Sequence, residues 1–229
     1  MIKSKIQKIT LAVISVLSIG AIAFGFYNKS TFNYLARDIS YFDNAVLDDF
    51  SYTADEDNEY CENIDFAFIN DYLKEADTIF VGTVNEMSNQ YECLKYDMTV
   101  DKVVKGDSIS DNEQIVFYEY SHFIINNDKE LQYFKTVNSN FPLIKNKQYL
   151  IFANRMQYEP DYEKKLEMKE FRISDAQIST FCLDEIEVKA ASPNAKKFKD
   201  IKEKEYSCFS AKGAKNLTDI KQDVIAHYL

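Results

Sequence analysis

Four cysteines, two histidines and a large stock of tyrosine carry most of the chemistry open to this sequence. Cys61, Cys93, Cys182 and Cys208 are widely spaced, with no Cys-x-x-Cys and no neighbouring histidine pair. Zinc sites use tighter local pairs, so in an oxidising compartment this spacing predicts disulfides instead of metal ligation. Four cysteines permit three pairings, and the spacing leaves all of them open. A nucleophile–base pair needs histidine within hydrogen-bond reach of a serine or cysteine. His122 follows Ser121, but neighbours on a strand point to opposite faces, so these two do not pair. His227 falls in the last turn of a C-terminal helix, where its charge meets the helix dipole favourably. Asp77, beside Ile79-Phe80-Val81, is the best buried acid, with a helix-to-strand cap as its ordinary role. Eight acids between Thr31 and Tyr60 lack the Asp-x-Asp-x-Asp-Gly order of a calcium loop. These residues predict no catalytic centre, no metal site and no bound cofactor.

The aromatics offer a different chemistry. Tyr91, Tyr96, Phe117, Tyr118 and Tyr120 fall on predicted strands. Alternation turns Phe117 inward with Ile115, and Tyr118 and Tyr120 outward. Outward tyrosines can stack on a sugar ring or pack against a partner protein; ordinary half-buried strand tyrosines give the same pattern.

The elements that position these groups begin with a leader. Ile9 to Tyr27 is a run of 19 uncharged residues preceded by Lys3, Lys5 and Lys8. As a helix it rises ~28 Å, close to the ~30 Å hydrocarbon thickness of a bilayer. Basic residues stay on the cytoplasmic side, so everything beyond Tyr27 is expected outside. The run reads either as an uncleaved single-span anchor or as a signal peptide cut near Ala23, giving a secreted protein. The formal net charge of the whole chain is −10, and residues 1–30 hold four lysines and no acid, so the body is more acidic still. Such a body repels phosphate backbones and argues against nucleic-acid binding. With 46% hydrophobic and 28% charged residues, it has the composition of a globular domain.

Residues 28–60 read as an acidic linker with interspersed aromatics. Periodicity predicts a helix over 62–75 and strands over 78–87, 93–104, 114–121, 131–136, 147–154, 168–173 and 181–188. Alternation fails near Val103-Val104, which predicts a bend there, and Lys105-Gly106-Asp107 predicts a turn. Beyond residue 189, an exposed helix is expected over 194–205. A final helix follows, capped by Asn216 or Thr218, with Leu217, Ile220, Val224, Ile225 and Tyr228 on one stripe.

The stretch over 61–153 resembles the netrin-like, tissue-inhibitor-of-metalloproteinase-type domain. The matching pieces are an early Cys61, Ala76-Asp77 leading into Ile79-Phe80-Val81-Gly82-Thr83-Val84, a strand ending Val103-Val104-Lys105-Gly106-Asp107, and Tyr149-Leu150-Ile151-Phe152-Ala153. The resemblance implies an OB-like barrel. In the animal inhibitors the first cysteine of a Cys-x-Cys coordinates the target's zinc; here Cys61 is followed by Glu62 and Asn63. The full expectation is a mainly β protein with flanking helices: an OB-like five- or six-stranded antiparallel barrel (61–188) after a transmembrane helix (1–27) and linker, closed by a helical segment (189–229). Its expected role is noncatalytic binding of a protein or envelope component outside the membrane, through Tyr118 and Tyr120. A protease inhibitor acting near Cys61 and an envelope hydrolase are the rival readings.

Overall fold

The computed structural model describes residues 39–47, 54–90, 93–125, 132–135, 140–176 and 178–229. The segment 9–27 lies outside them, and so does Tyr91. Among the described residues no helix is long and apolar enough to cross a membrane.

The centre is a closed barrel of five strands: β2 (Thr78–Gln90), β3 (Cys93–Lys105), β4 (Gln114–Glu119), β7 (Gln148–Arg155) and β8 (Lys169–Ile173). The order is β2-β3-β4-β8-β7, and β2 pairs with β7 to close the ring. The barrel is not antiparallel throughout, because β4 and β8 run parallel, Ile115 opposite Lys169 and Phe117 opposite Phe171. The long connection from β7 through α3 (Pro160–Glu163) returns β8 in the same sense as β4. A short β9 (Thr180–Cys182) shares the β7 edge with β8, each taking one half of it.

The alternating residues of β3 do what alternation predicts. Leu94, Tyr96, Met98 and Val100 are fully buried inside the barrel. The bend falls where the pattern broke: Ile79 pairs with Lys105 but Phe80 pairs with Val103, so Val104 is the extra residue of a bulge. Gly82 allows the strand to curl, since a Cβ there would sit 2.9 Å from the Phe80 ring and 3.1 Å from the Thr99 carbonyl. Gly106 has φ of 103°, as its turn requires.

Strand β7 is apolar on both faces. Tyr149, Ile151 and Ala153 face the barrel interior, while Leu150 and Phe152 face a second core under the helices. That second core collects α1 (Ala54–Asn63), α2 (Phe66–Leu73) and α4 (Ala211–Tyr228). Asp65 divides α1 from α2 by capping the latter, its carboxylate accepting from the Phe68 amide at 2.7 Å. This cap explains two helices where one was expected. Helix α4 starts earlier than expected, because Ser210, not Asn216 or Thr218, accepts from the Gly213 amide. Its stripe of Leu217, Ile220 and Val224 is buried on the domain itself.

Residues 39–47 and 54–60, read as part of a linker, are folded. Phe42, Ala45 and Leu47 are buried in the first core, and β1 (Val46–Leu47) pairs in parallel with β6 (Gln132–Lys135), which pairs with β5 (His122–Ile125). Phe42 stacks on Phe123 at 4.3 Å, and Phe198 meets Phe123 edge-on at 4.8 Å. The helix expected over 194–205 is absent, replaced by turns around a three-residue 3-10 helix, Phe198–Asp200. The backbone amides of Phe198 and Lys199 go to the Ala45 and Asp43 carbonyls instead of to a helical ladder. Strand β9 is also shorter than the predicted 181–188, ending at Cys182.

Candidate functional site

Helix α2 has two faces. Ile69 and Leu73 are buried, while Phe68 and Tyr72, four residues apart on the other side, are each 50% exposed. Their rings lie 5.2 Å apart at 58°. They form one wall of a groove of about 300 Å³ whose other lining residues are Tyr60, Ile69, Asp175, Ala176 and Ile178. Two larger hollows, of about 520 and 410 Å³, are lined without any aromatic ring. The Tyr60 hydroxyl is held protonated, chiefly by burial.

Asp175 links this groove to the tyrosines singled out from alternation. Arg172 on β8 lies 3.5 Å from the Asp175 carboxylate and donates to the Tyr120 hydroxyl at 2.7 Å. Tyr120 is 38% exposed. Tyr118 also faces outward but is tied down: its hydroxyl donates to Glu170 at 3.3 Å, and Tyr158 donates to the other oxygen of the same carboxylate. Burial and that carboxylate together keep the Tyr118 hydroxyl protonated. Tyr120 therefore belongs to a surface that continues into the groove, whereas Tyr118 is part of a hydrogen-bonded cluster on β8. Sequence reasoning missed Phe68, Tyr72 and Tyr60. The signal was present in α2, where the Phe68–Tyr72 pair at helical spacing falls off the Ile69–Leu73 stripe.

Cys61 is completely buried in the last turn of α1, with its thiol 3.6 Å from the Ser207 carbonyl. It lies at no exposed edge. No disulfide is formed among the described residues, so the two-disulfide framework is not realised. Cys93 pairs with Gln90 at the far end of the β2–β3 hairpin, whereas Cys182 pairs with Tyr149, itself opposite Gly82. Eight residues of β2 separate those levels, roughly 25 Å of strand, far beyond the ~7 Å a disulfide spans between Cα atoms. Burial and the neighbouring Glu205 push the Cys182 thiol pKa up, which favours the thiol over the thiolate.

Ser121 is buried and His122 is not, on opposite faces as expected, and His122 Nδ1 lies 3.1 Å from the Tyr120 carbonyl. His227 packs against Phe66 and Tyr228. Asp77 is exposed, not buried. It caps the start of β2, accepting from the Thr78 hydroxyl at 2.7 Å and from the Arg155 amide at 3.0 Å. The buried acids are others. Glu119 accepts from the Tyr96 hydroxyl at 2.7 Å, and burial lifts its pKa to about 8. Glu205 accepts from buried Lys221 at 2.6 Å and from the Cys182 amide at 2.6 Å. Glu119 is sealed in the core, whereas Glu205 lines a small hollow beside Lys147, Tyr149 and Cys182; neither lines the groove of α2. Among the described residues no three His, Cys, Asp or Glu side chains gather as metal ligands would.

No family model matches this chain, and no curated protein is significantly similar to it.

Proposed function

We propose that this chain is a noncatalytic binding module, held at the outer face of a membrane by residues 9–27, that captures a protein or envelope component with the aromatic wall of α2. The carrying observation is the pair Phe68 and Tyr72, half exposed and in ring contact over a groove. Folding alone does not reward that exposure; burying the exposed half of either ring against a partner gains about 1 kcal/mol. Tyr120 and Arg172 extend the same surface with polar groups that orient a ligand. The barrel supports an OB-type reading: numbered within the ring, its strands run 1-2-3-5-4-1 with strands 3 and 5 parallel. Such barrels commonly bind ligands with aromatic residues on their outer surface. The netrin-like resemblance of residues 61–153 is consistent with that reading.

The test is site-specific photocrosslinking in the host. A benzophenone amino acid placed at position 68 or 72 should give a discrete adduct. The same probe at Ile186, which is 41% exposed elsewhere on the surface, should give none. Equal labelling from all three positions, or none at 68 and 72, refutes the proposal.

A further inference from the structure

Cys61 and Cys208 lie far apart in the sequence, yet they meet across one glycine. A Cβ added to Gly213 would lie 2.9 Å from the Cys208 sulfur and 2.9 Å from the Cys61 Cβ. The Cys208 sulfur and the Cys61 Cβ are therefore separated by no more than twice that distance. The segments carrying them are fastened together on every side. The Asn216 amide donates to the Cys61 carbonyl at 3.0 Å and to the Ile64 carbonyl at 2.7 Å. The Phe209 amide donates to Asn58 Oδ1 at 2.8 Å. Lys212 pairs with Glu62 at 3.1 Å. The Ala191 amide holds the Cys208 carbonyl at 2.7 Å. A disulfide requires Cβ atoms about 3.5–4.5 Å apart; here each thiol is held to a backbone carbonyl, Cys61 to that of Ser207 at 3.6 Å and Cys208 to that of Ser210 at 3.5 Å, and both must turn from it to bond across Gly213.

We propose that Cys61 and Cys208 form a disulfide that clamps α1 to the start of α4, leaving Cys93 and Cys182 as thiols. In the reaction one cysteine thiolate attacks a disulfide oxidant, forming a mixed disulfide and expelling one thiolate. The second cysteine thiolate attacks the mixed bond and expels the other. One Cys–Cys bond forms, the oxidant's S–S bond breaks, the oxidant gains both electrons and leaves as two thiols, and the two cysteine protons end on them. Both cysteines are fully buried, so the bond closes during folding and is afterwards shielded from reductant. Tyr60, which lines the groove, immediately precedes Cys61, so the clamp also fixes one wall of the proposed binding site. Occurrence of the bond in the cell rests on the export proposed above, whereas its formation in vitro does not.

The full chain, reduced and unfolded, is refolded in detergent with a reduced/oxidised glutathione buffer, alkylated, digested without reduction and mapped by mass spectrometry. The expected result is a Cys61–Cys208 linked peptide, with Cys93 and Cys182 alkylated and the chain lighter by two hydrogen atoms. The chain refolded in the absence of oxidant should melt roughly 10 °C lower than the oxidised chain, because the bond closes a very long loop. Alkylation of Cys61 and Cys208, linkage of either to another cysteine, or equal Tm values for the chains refolded with and without oxidant overturns the proposal. The Cys93→Ser/Cys182→Ser double variant must give the same linked peptide. A link formed in vitro but missing from protein taken from its host supports the disulfide and refutes export.

Discussion

Replacing Glu119 with glutamine isolates one pH-dependent element of the fold. In the native state Glu119 gives up its proton at about pH 8, against 4.5 for an ordinary glutamate, because burial between Tyr96 and Ser121 penalises the carboxylate. Between those values the native state keeps a proton that the unfolded chain has lost. The contribution is therefore fully present below the unfolded pKa, falls as pH rises, and levels off once the folded pKa is passed. Each tenfold fall in proton activity within that window costs about 1.4 kcal/mol. The accumulated loss is about 3 kcal/mol at neutral pH and about 5 kcal/mol on the alkaline plateau, against a total stability of about 5–15 kcal/mol for a domain. Glutamine keeps an acceptor for the Tyr96 hydroxyl, which itself accepts from the Leu143 amide at 3.1 Å. Glu119→Gln should therefore match the wild type in acid and exceed it by about 3 kcal/mol at neutral pH. Urea unfolding followed by far-ultraviolet circular dichroism, repeated across the pH range, measures the difference directly. Two curves that run parallel from acid to alkali would refute the reasoning, since they would mean that Glu119 titrates normally in the fold.

Lys221→Met leaves the Glu205 carboxylate buried against the Cys182 amide without its cation, and should cost about 3–5 kcal/mol in urea unfolding. Adding Glu205→Gln to that variant should restore most of the loss in a double-mutant cycle. Gly106→Ala forces a side chain into φ of 103° with its Cβ 3.1 Å from the Asp77 carbonyl; thermal unfolding should show a loss of about 1–2 kcal/mol.

Much of the barrel was legible because half-buried strands reveal themselves by period. In β3 every second residue is buried, and the bulge at Val104 falls where alternation stops. The parallel approach of β4 to β8 was not legible: strand patterns give faces, not neighbours or directions. The leading segment was misread because its acids dominate composition, although only Phe42, Ala45 and Leu47 among its residues 39–47 are needed to fill the core. The expected helix before residue 205 failed because residues 43 and 45 offer its amides better-placed carbonyls, a contact across more than 150 residues. At the site, Tyr120 was found by alternation. Phe68 and Tyr72 were not, since a helix with aromatics on two sides does not say which side is covered.

The first and last parts of the domain hold each other in place. Leu47 donates its amide to the Lys196 carbonyl, Val46 bridges Lys197, and α1 is tied to α4 through Asn216. A chain that emerges from the ribosome N-terminus first makes residues 39–47 long before β6 and residues 196–199, the segments they pair with. Helix α1 waits longer still, for α4. The helical core is therefore the last part of the domain to close during synthesis. Loss of the last twenty residues removes α4 and leaves α1 and α2 without the helix they pack against, while residues 39–47 keep their partners.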